Sequence, residues 1–140
     1  MTDEELRAIL VMVSQLTKRP MPDTLPSYKE VTHEWIAKRT CPTTAQRCRF
    51  FSMYDPALDT IFISTEGLNW KAVDNLVAHE MSHYLDDLDG LFVTPLSCET
   101  LADMERRAYH AQRLYVWMVQ GDFGGLPTPP YRCNPAKSGP

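Results

Sequence analysis

The chain has 140 residues and a mass of 16.0 kDa, and 44% of its residues are hydrophobic, which suits one domain with an ordinary core. Its formal net charge is −4, its pI is near 5.5, and its 14 Lys and Arg residues are scattered, so nucleic acid is not an expected partner. No apolar run approaches the roughly 20 residues that span a bilayer, so no membrane contact is expected either.

We expect a single domain over residues 1–125 and a Pro-rich tail over residues 126–140. The start MTDEELRAIL is acidic where an export signal would be basic. This predicts a soluble, cytoplasmic protein, or an exported one if a signal has been removed. No feature predicts oligomerisation, and we expect a monomer.

The N-terminal segment predicts an amphipathic helix. Thr2 and Glu5 have the spacing of a capping box, and apolar residues then recur at helical spacing as far as Leu16. Three prolines between residues 20 and 26 end this helix. A short strand over Tyr28–Val31 and a brief helix over residues 33–39, capped by Thr32, follow.

The central segment predicts a β-hairpin followed by a helix. The strands are Arg49–Tyr54 and Thr60–Ser64, which are rich in aromatic and β-branched residues, and the turn is Asp55–Asp59. Asn69 is a good cap for a helix over about Trp70–Leu85. A second long helix is expected over about Leu96–Val119, after a loop and before Gly121, Gly124 and Gly125.

The four cysteines do not form a CxxC pair, so a cysteine-based zinc knuckle has no support. Cys41 and Cys48 bracket the polar stretch PTTAQR, a spacing that suits a local disulfide. Cys98 and Cys133 would then tie down the C-terminal tail. The sequence does not choose among the three possible connectivities, and it leaves four reduced thiols as the alternative.

The motif His79-Glu80-Met81-Ser82-His83 lies within the first long helix. Its two imidazoles are four residues apart and therefore lie on one face, as the HExxH zinc motif requires. Glu80 is placed to accept a proton from a zinc-activated water and to return it to the leaving amine. The alternative interpretation is a helix that carries two histidines without a metal.

A catalytic zinc needs a third protein ligand, and the second long helix offers Glu105, Glu99 and Asp103. Steps of three and four residues from Glu105 reach mostly apolar or uncharged positions, whereas the same steps from Glu99 reach charged ones. A carboxylate among apolar neighbours needs a cation, so Glu105 is favoured over Glu99, and Asp103 comes last. The ExxxD spacing of Glu99 and Asp103 keeps Glu99 open.

Three further residues have predicted roles near the motif. Tyr109, one turn after Glu105, is expected to donate a hydrogen bond to the developing oxyanion, although a packed aromatic is the alternative. Asp86 or Asp103 could orient a ligand imidazole through its other nitrogen.

The chain resembles small gluzincin-type metallopeptidases in three segments, namely TIFIS, the motif HEMSH and the later run Glu105-Arg-Arg-Ala-Tyr-His-Ala-Gln112. Uncharacterised metallopeptidases with E-x-x-A-Y-x-x-Q after the motif are the nearest likeness. The resemblance covers roughly residues 49–120. It implies a Zn²⁺ cofactor, peptide hydrolysis, and an edge strand before the motif helix that pairs with an extended peptide substrate, here Thr60–Ser64.

The sequence therefore predicts an α+β, zincin-like minimal domain, with a small antiparallel sheet packed on the HExxH helix and on a second long helix. The predicted function is zinc-dependent peptide-bond hydrolysis, with His79, His83 and Glu105 as ligands and with Glu80 and Tyr109 as catalytic residues. The alternative is an inactive zincin-like module that binds zinc for structure or regulation.

Overall fold

The structure is a computed structural model that describes residues 1–41, 48, 50–92, 95–123 and 133. Within these residues the chain forms four helices and three strands, so the predicted α+β class is confirmed. In chain order they are α1 (Asp3–Leu16), β1 (Ser27–Glu30), α2 (His33–Thr40), β2 (Ser52–Asp55), β3 (Thr60–Ile63), α3 (Trp70–Leu88) and α4 (Cys98–Met118).

Helix α1 begins with the predicted capping box. The Glu5 amide donates to the Thr2 hydroxyl (3.1 Å), and the Thr2 amide donates to the Glu5 carboxylate (2.7 Å). The apolar face of α1 is buried in the main hydrophobic core, which also contains residues from β2, β3, α3 and α4. Helix α1 thus covers one side of α3.

The sheet has the order β1-β3-β2. Strands β2 and β3 pair antiparallel, as the hairpin prediction required, with Tyr54 opposite Ile61. Strand β1 joins the other side of β3 in parallel, with Tyr28 opposite Ile61. The sheet is therefore mixed, and the prediction of an antiparallel sheet holds only for its hairpin.

The central position of β3 corrects one expectation. Because β1 and β2 pair with its two sides, Thr60–Ile63 has no free edge, and the prediction that Thr60–Ser64 is an edge strand for a peptide is wrong. Ser64 also donates its amide to the Phe51 carbonyl (2.7 Å). The edge strands of the described sheet are β1 and β2.

Helix α3 is the central element of the fold. Asn69 caps it by accepting from the Ala72 amide (2.9 Å), and every residue from 77 to 86 is buried. The Tyr54 hydroxyl donates to the Asp87 carboxylate (2.6 Å) and so ties β2 to the C-terminal half of α3. Helix α3 consequently holds its middle turns, which contain the motif, between the sheet and the other helices.

Helix α4 packs more extensively on α3 than any other element does. Ser97 caps it by accepting from the Thr100 amide (3.1 Å). Ala108 and Ala111 are fully buried and allow the two helices to approach closely. Asp86, also fully buried, forms ion pairs with Arg107 of α4 (3.1 Å) and with Arg19 after α1, which neutralise its charge.

Two disulfides join Cys41 to Cys48 and Cys98 to Cys133, the pairing that the spacing suggested. The described residues do not include the stretch PTTAQR, Arg49, Gly124, Gly125 or, apart from Cys133, the tail. Among the described helices, none combines the length and the apolar character needed to cross a bilayer.

Candidate functional site

The two motif histidines lie on the face of α3 that meets α4. Their ring centroids are 5.1 Å apart, and both residues are buried, as is Glu80 between them in the sequence. One potential ligand atom from each of His79, Glu80 and His83 lies within 4.8 Å of the other two. The motif therefore brings together side chains that could hold a metal ion.

Glu105 reaches both histidines from α4. Its Oε1 lies 2.9 Å from Nε2 of His83, and its Oε2 lies 3.3 Å from Nε2 of His79. Glu99 is exposed, and Asp103 is exposed and forms an ion pair with Arg106 on the surface. Of the three acids considered from the sequence, the structure brings only Glu105 to the histidines.

Two carboxylates could therefore act as the third ligand, and their distances distinguish them. Two ligand atoms on one tetrahedral zinc ion lie roughly 3.3 Å apart, because each is about 2.0–2.2 Å from the metal. Glu105 comes near this spacing with one oxygen for each histidine, at 3.3 Å from Nε2 of His79 and 2.9 Å from Nε2 of His83, whereas Glu80 approaches Nε2 of His79 only to 3.9 Å. The distances favour Glu105 over Glu80 as a candidate ligand.

Glu80 is held by the sheet in an environment that favours its neutral form. Burial raises the pKa of Glu80 to about 7, against the lowering effect of His79, and the nearby Glu105 charge raises it further. The Ser52 hydroxyl of β2 donates to Oε1 of Glu80 (3.4 Å), while Oε2 is buried without a partner among the described residues. Near neutral pH, Glu80 can both accept and release a proton.

Glu105 has the opposite electrostatic character. Burial alone would raise its pKa, but hydrogen bonds and charge from His79 and His83 outweigh burial and lower the pKa of Glu105 below its usual range. The carboxylate is thus an anion that faces two imidazole nitrogens, which is the protonation state that a metal ligand requires.

The contact between His79 and Gln112 bears on which nitrogen of His79 carries a proton. Oε1 of Gln112 lies 3.0 Å from Nδ1 of His79, and in this orientation of the amide the carbonyl oxygen accepts a hydrogen bond from a proton on Nδ1. In the neutral ring, Nε2 then presents its lone pair to the Glu105 carboxylate, which is also an acceptor. These two groups attract each other only with a cation between them, either a proton or a metal ion.

Gln112, and not Asp86 or Asp103, contacts the second ring nitrogen of His79. Asp86 is instead paired with arginines, and Asp103 is paired at the surface. Gln112 was missed as a functional residue although it lies seven residues, or two turns, after Glu105 and hence on the same face of α4. Ser52 was also missed, because its contact with Glu80 depends on how the strand packs.

Tyr109 lies against the ring of His79. The two ring centroids are 4.6 Å apart with an interplanar angle of 81°, an edge-to-face contact. Tyr109 is not among the residues that line the cavity over the two histidines. The contact supports a packing role beside His79, and hydrogen bonding to an oxyanion stays a prediction.

A cavity of about 330 Å³ opens over the histidines. The cavity is lined by His79, Glu80, His83 and Glu105. Three residues of β2 also line it, namely Ser52, Met53 and Tyr54. Much of the remaining lining is apolar, from Phe50, Phe92, Leu101 and Met104. An apolar cavity with a few convergent polar groups is typical of a binding site for a small molecule or a peptide segment.

Comparisons with models of protein families, with curated proteins and with solved structures give no match.

Proposed function

We propose that the protein is a zinc-dependent metallopeptidase. The observation that carries this proposal is the shared carboxylate of Glu105, which contacts Nε2 of both motif histidines beside the buried Glu80. Two imidazoles and one carboxylate form the ligand set of many catalytic zinc sites. Two imidazoles and a carboxylate also suit iron, and what supports the choice of zinc is the HExxH spacing on one helix with Glu80 beside the first histidine.

In this proposal His79, His83 and Glu105 hold the ion. Held by these residues, a zinc ion would supply an acidified water and a Lewis acid for the carbonyl of the scissile bond. Glu80 accepts a proton from the attacking water and returns it to the leaving amine. Ser52 holds Oε1 of Glu80, so that Oε2, which has no partner among the described residues, is available for the proton.

The free edge of β2 supports an extended peptide as the substrate. Because Phe51 is hydrogen-bonded to Ser64, alternation along an antiparallel pair turns the backbone groups of Ser52 and Tyr54 away from β3. No strand among the described residues pairs with that edge, and both residues line the cavity. A peptide that added to this edge would run along the cavity, so β2 replaces Thr60–Ser64 as the proposed docking strand.

Zinc-dependent cleavage of a peptide library tests this function. The purified full chain should cleave a subset of peptides, lose this activity when a chelator removes the metal, and regain it on addition of one equivalent of zinc. Cleavage should be read by mass spectrometry, which also reports the sequence around the cleaved bond. A chain that holds zinc yet cleaves no peptide would contradict the proposal and would favour the inactive zinc-binding module.

A further inference from the structure

A row of side-chain amides runs along the contact between α3 and α4 and ends at His79. Nε2 of Gln120 donates to the Lys71 carbonyl (2.8 Å), and Nδ2 of Asn75 donates to Oε1 of Gln120 (3.4 Å). Nε2 of Gln112 donates to Oδ1 of Asn75 (2.8 Å), and Oε1 of Gln112 meets Nδ1 of His79 (3.0 Å).

The row follows helix geometry. Lys71, Asn75 and His79 are spaced by four residues on α3 and share one face, while Gln112 lies in the C-terminal half of α4 and Gln120 lies two residues after its end. Along the row, the three residues of α3 alternate with Gln120 and Gln112. Gln112 is buried, with 7% of its surface exposed, so its hydrogen bonds meet little competition from water.

The direction of the row is set at its far end. The backbone carbonyl of Lys71 can only accept, so Gln120 must present its NH₂ group there and its oxygen to Asn75. Asn75 must then present its NH₂ to Gln120 and its oxygen to Gln112. Gln112 in turn presents its NH₂ to Asn75 and its oxygen to His79, and only one tautomer of His79 satisfies that oxygen.

We propose that this amide row is a positioning device that fixes the Nδ1–H tautomer of His79 and so leaves the Nε2 lone pair free for the metal. The inference deepens the proposed function and rests on it in one respect, that zinc is the ion bound. Asn75 and Gln120 act on the site through Gln112 and do not themselves contact the imidazole. A rotated Gln112 amide would offer NH₂ to Nδ1, place the proton on Nε2 and oppose metal binding.

Two substitutions that keep the number and branching of the side-chain heavy atoms at Asn75 test the row. Asn75→Leu removes the acceptor for Gln112, so its amide can rotate, and zinc affinity should fall about tenfold, at the low end of the 10–100-fold range for groups that orient metal ligands. Asn75→Asp keeps an acceptor and should bind zinc within about threefold of the unmodified chain, since the orientation of Gln112 is retained. If Asn75 only stabilised the fold, Asn75→Asp would weaken zinc binding more than Asn75→Leu, because a partly buried charge is more disruptive than a leucine.

Zinc affinity should be measured by competition with a chromogenic chelator, and the tautomer of His79 by ¹⁵N NMR of the metal-free full chain. We expect Nδ1 of His79 to carry a proton in the unmodified chain and in Asn75→Asp, and to lose it in Asn75→Leu. An unprotonated Nδ1 in the unmodified chain, or equal zinc affinity in the two variants, would overturn the inference.

A second pair of variants tests the proposal independently of whether Asn75→Leu folds. Gln112→Glu keeps an acceptor at Nδ1 and should retain zinc, whereas Gln112→Leu should lose 10–100-fold in affinity. Equal affinities in this pair would also overturn the inference. If the unmodified chain binds no zinc, the proposed function fails, whereas the NMR result still decides whether the row sets the tautomer.

Discussion

Replacing Glu80 by Gln is expected to lower peptide hydrolysis by about 10²–10⁴-fold and to leave zinc binding nearly unchanged. The amide cannot accept the proton of the attacking water, and the loss of a positioned general base has an effect of this size. The metal should stay because the nearest contact of Glu80 with a histidine is 3.9 Å, whereas Glu105 contacts both histidines. Initial rates and zinc content should be measured on the same preparation.

Glu99→Gln is the matched control for this variant. It makes the same change of side chain at an exposed position of α4 and should retain full activity and full zinc content. Full activity of Glu80→Gln would exclude Glu80 as the base. A loss of zinc in Glu80→Gln would instead make Glu80 a ligand, so the assignment of the two carboxylates would have to be exchanged.

Replacing Glu105 by Ala is expected to weaken zinc binding by more than about 100-fold, beyond the range for groups that only orient ligands. The variant removes the carboxylate that both Nε2 atoms face among the described residues, at 3.3 Å for His79 and 2.9 Å for His83. Two histidines alone would leave the ion with too few protein ligands for a stable catalytic site. Chelator competition measures the affinity, and activity should fall in parallel at limiting zinc.

Glu99→Ala and Asp103→Ala are the controls on the same helix. Both positions are exposed, and Asp103 forms an ion pair with Arg106 at the surface, so zinc affinity should stay within about twofold. A larger effect of Glu99→Ala than of Glu105→Ala would show that the assignment of the third ligand is wrong.

Local sequence patterns predicted most of the elements of the fold. Helix α1 and the hairpin have strong local patterns, namely a capping box and two β-rich runs around a turn. Helix α3 was found from its cap at Asn69 and from the motif. Its middle turns are buried on all sides, so their polar residues face other elements of the fold and not solvent.

The parallel pairing of β1 could not be read from local patterns. The strand is short, its sequence SYKE is polar, and three of its four residues are exposed. Its partner is more than thirty residues away in the chain, and no turn signal connects them. As a result the local patterns predict β3 as an edge strand, whereas the observed pairing makes β2 the proposed docking edge.

The site was predictable where one helix or one helical face defined it. His79, Glu80 and His83 follow from a spacing of four, and Glu105 follows from the apolar face of α4 on which it lies. Gln112 could have been found on the same face, two turns after Glu105, if uncharged amides had been considered as partners of a histidine. Ser52 and Asn75 depend on contacts between elements, which the periodicity of one element does not reveal.

The metal content of the natively purified chain tests the central claim most directly. Elemental analysis after dialysis should find about one zinc ion per chain, and a double variant with His79→Ala and His83→Ala should hold none while keeping its helical circular dichroism. An unmodified chain without zinc, even after incubation with the ion, or a double variant that binds zinc as well as the unmodified chain does, would contradict the account.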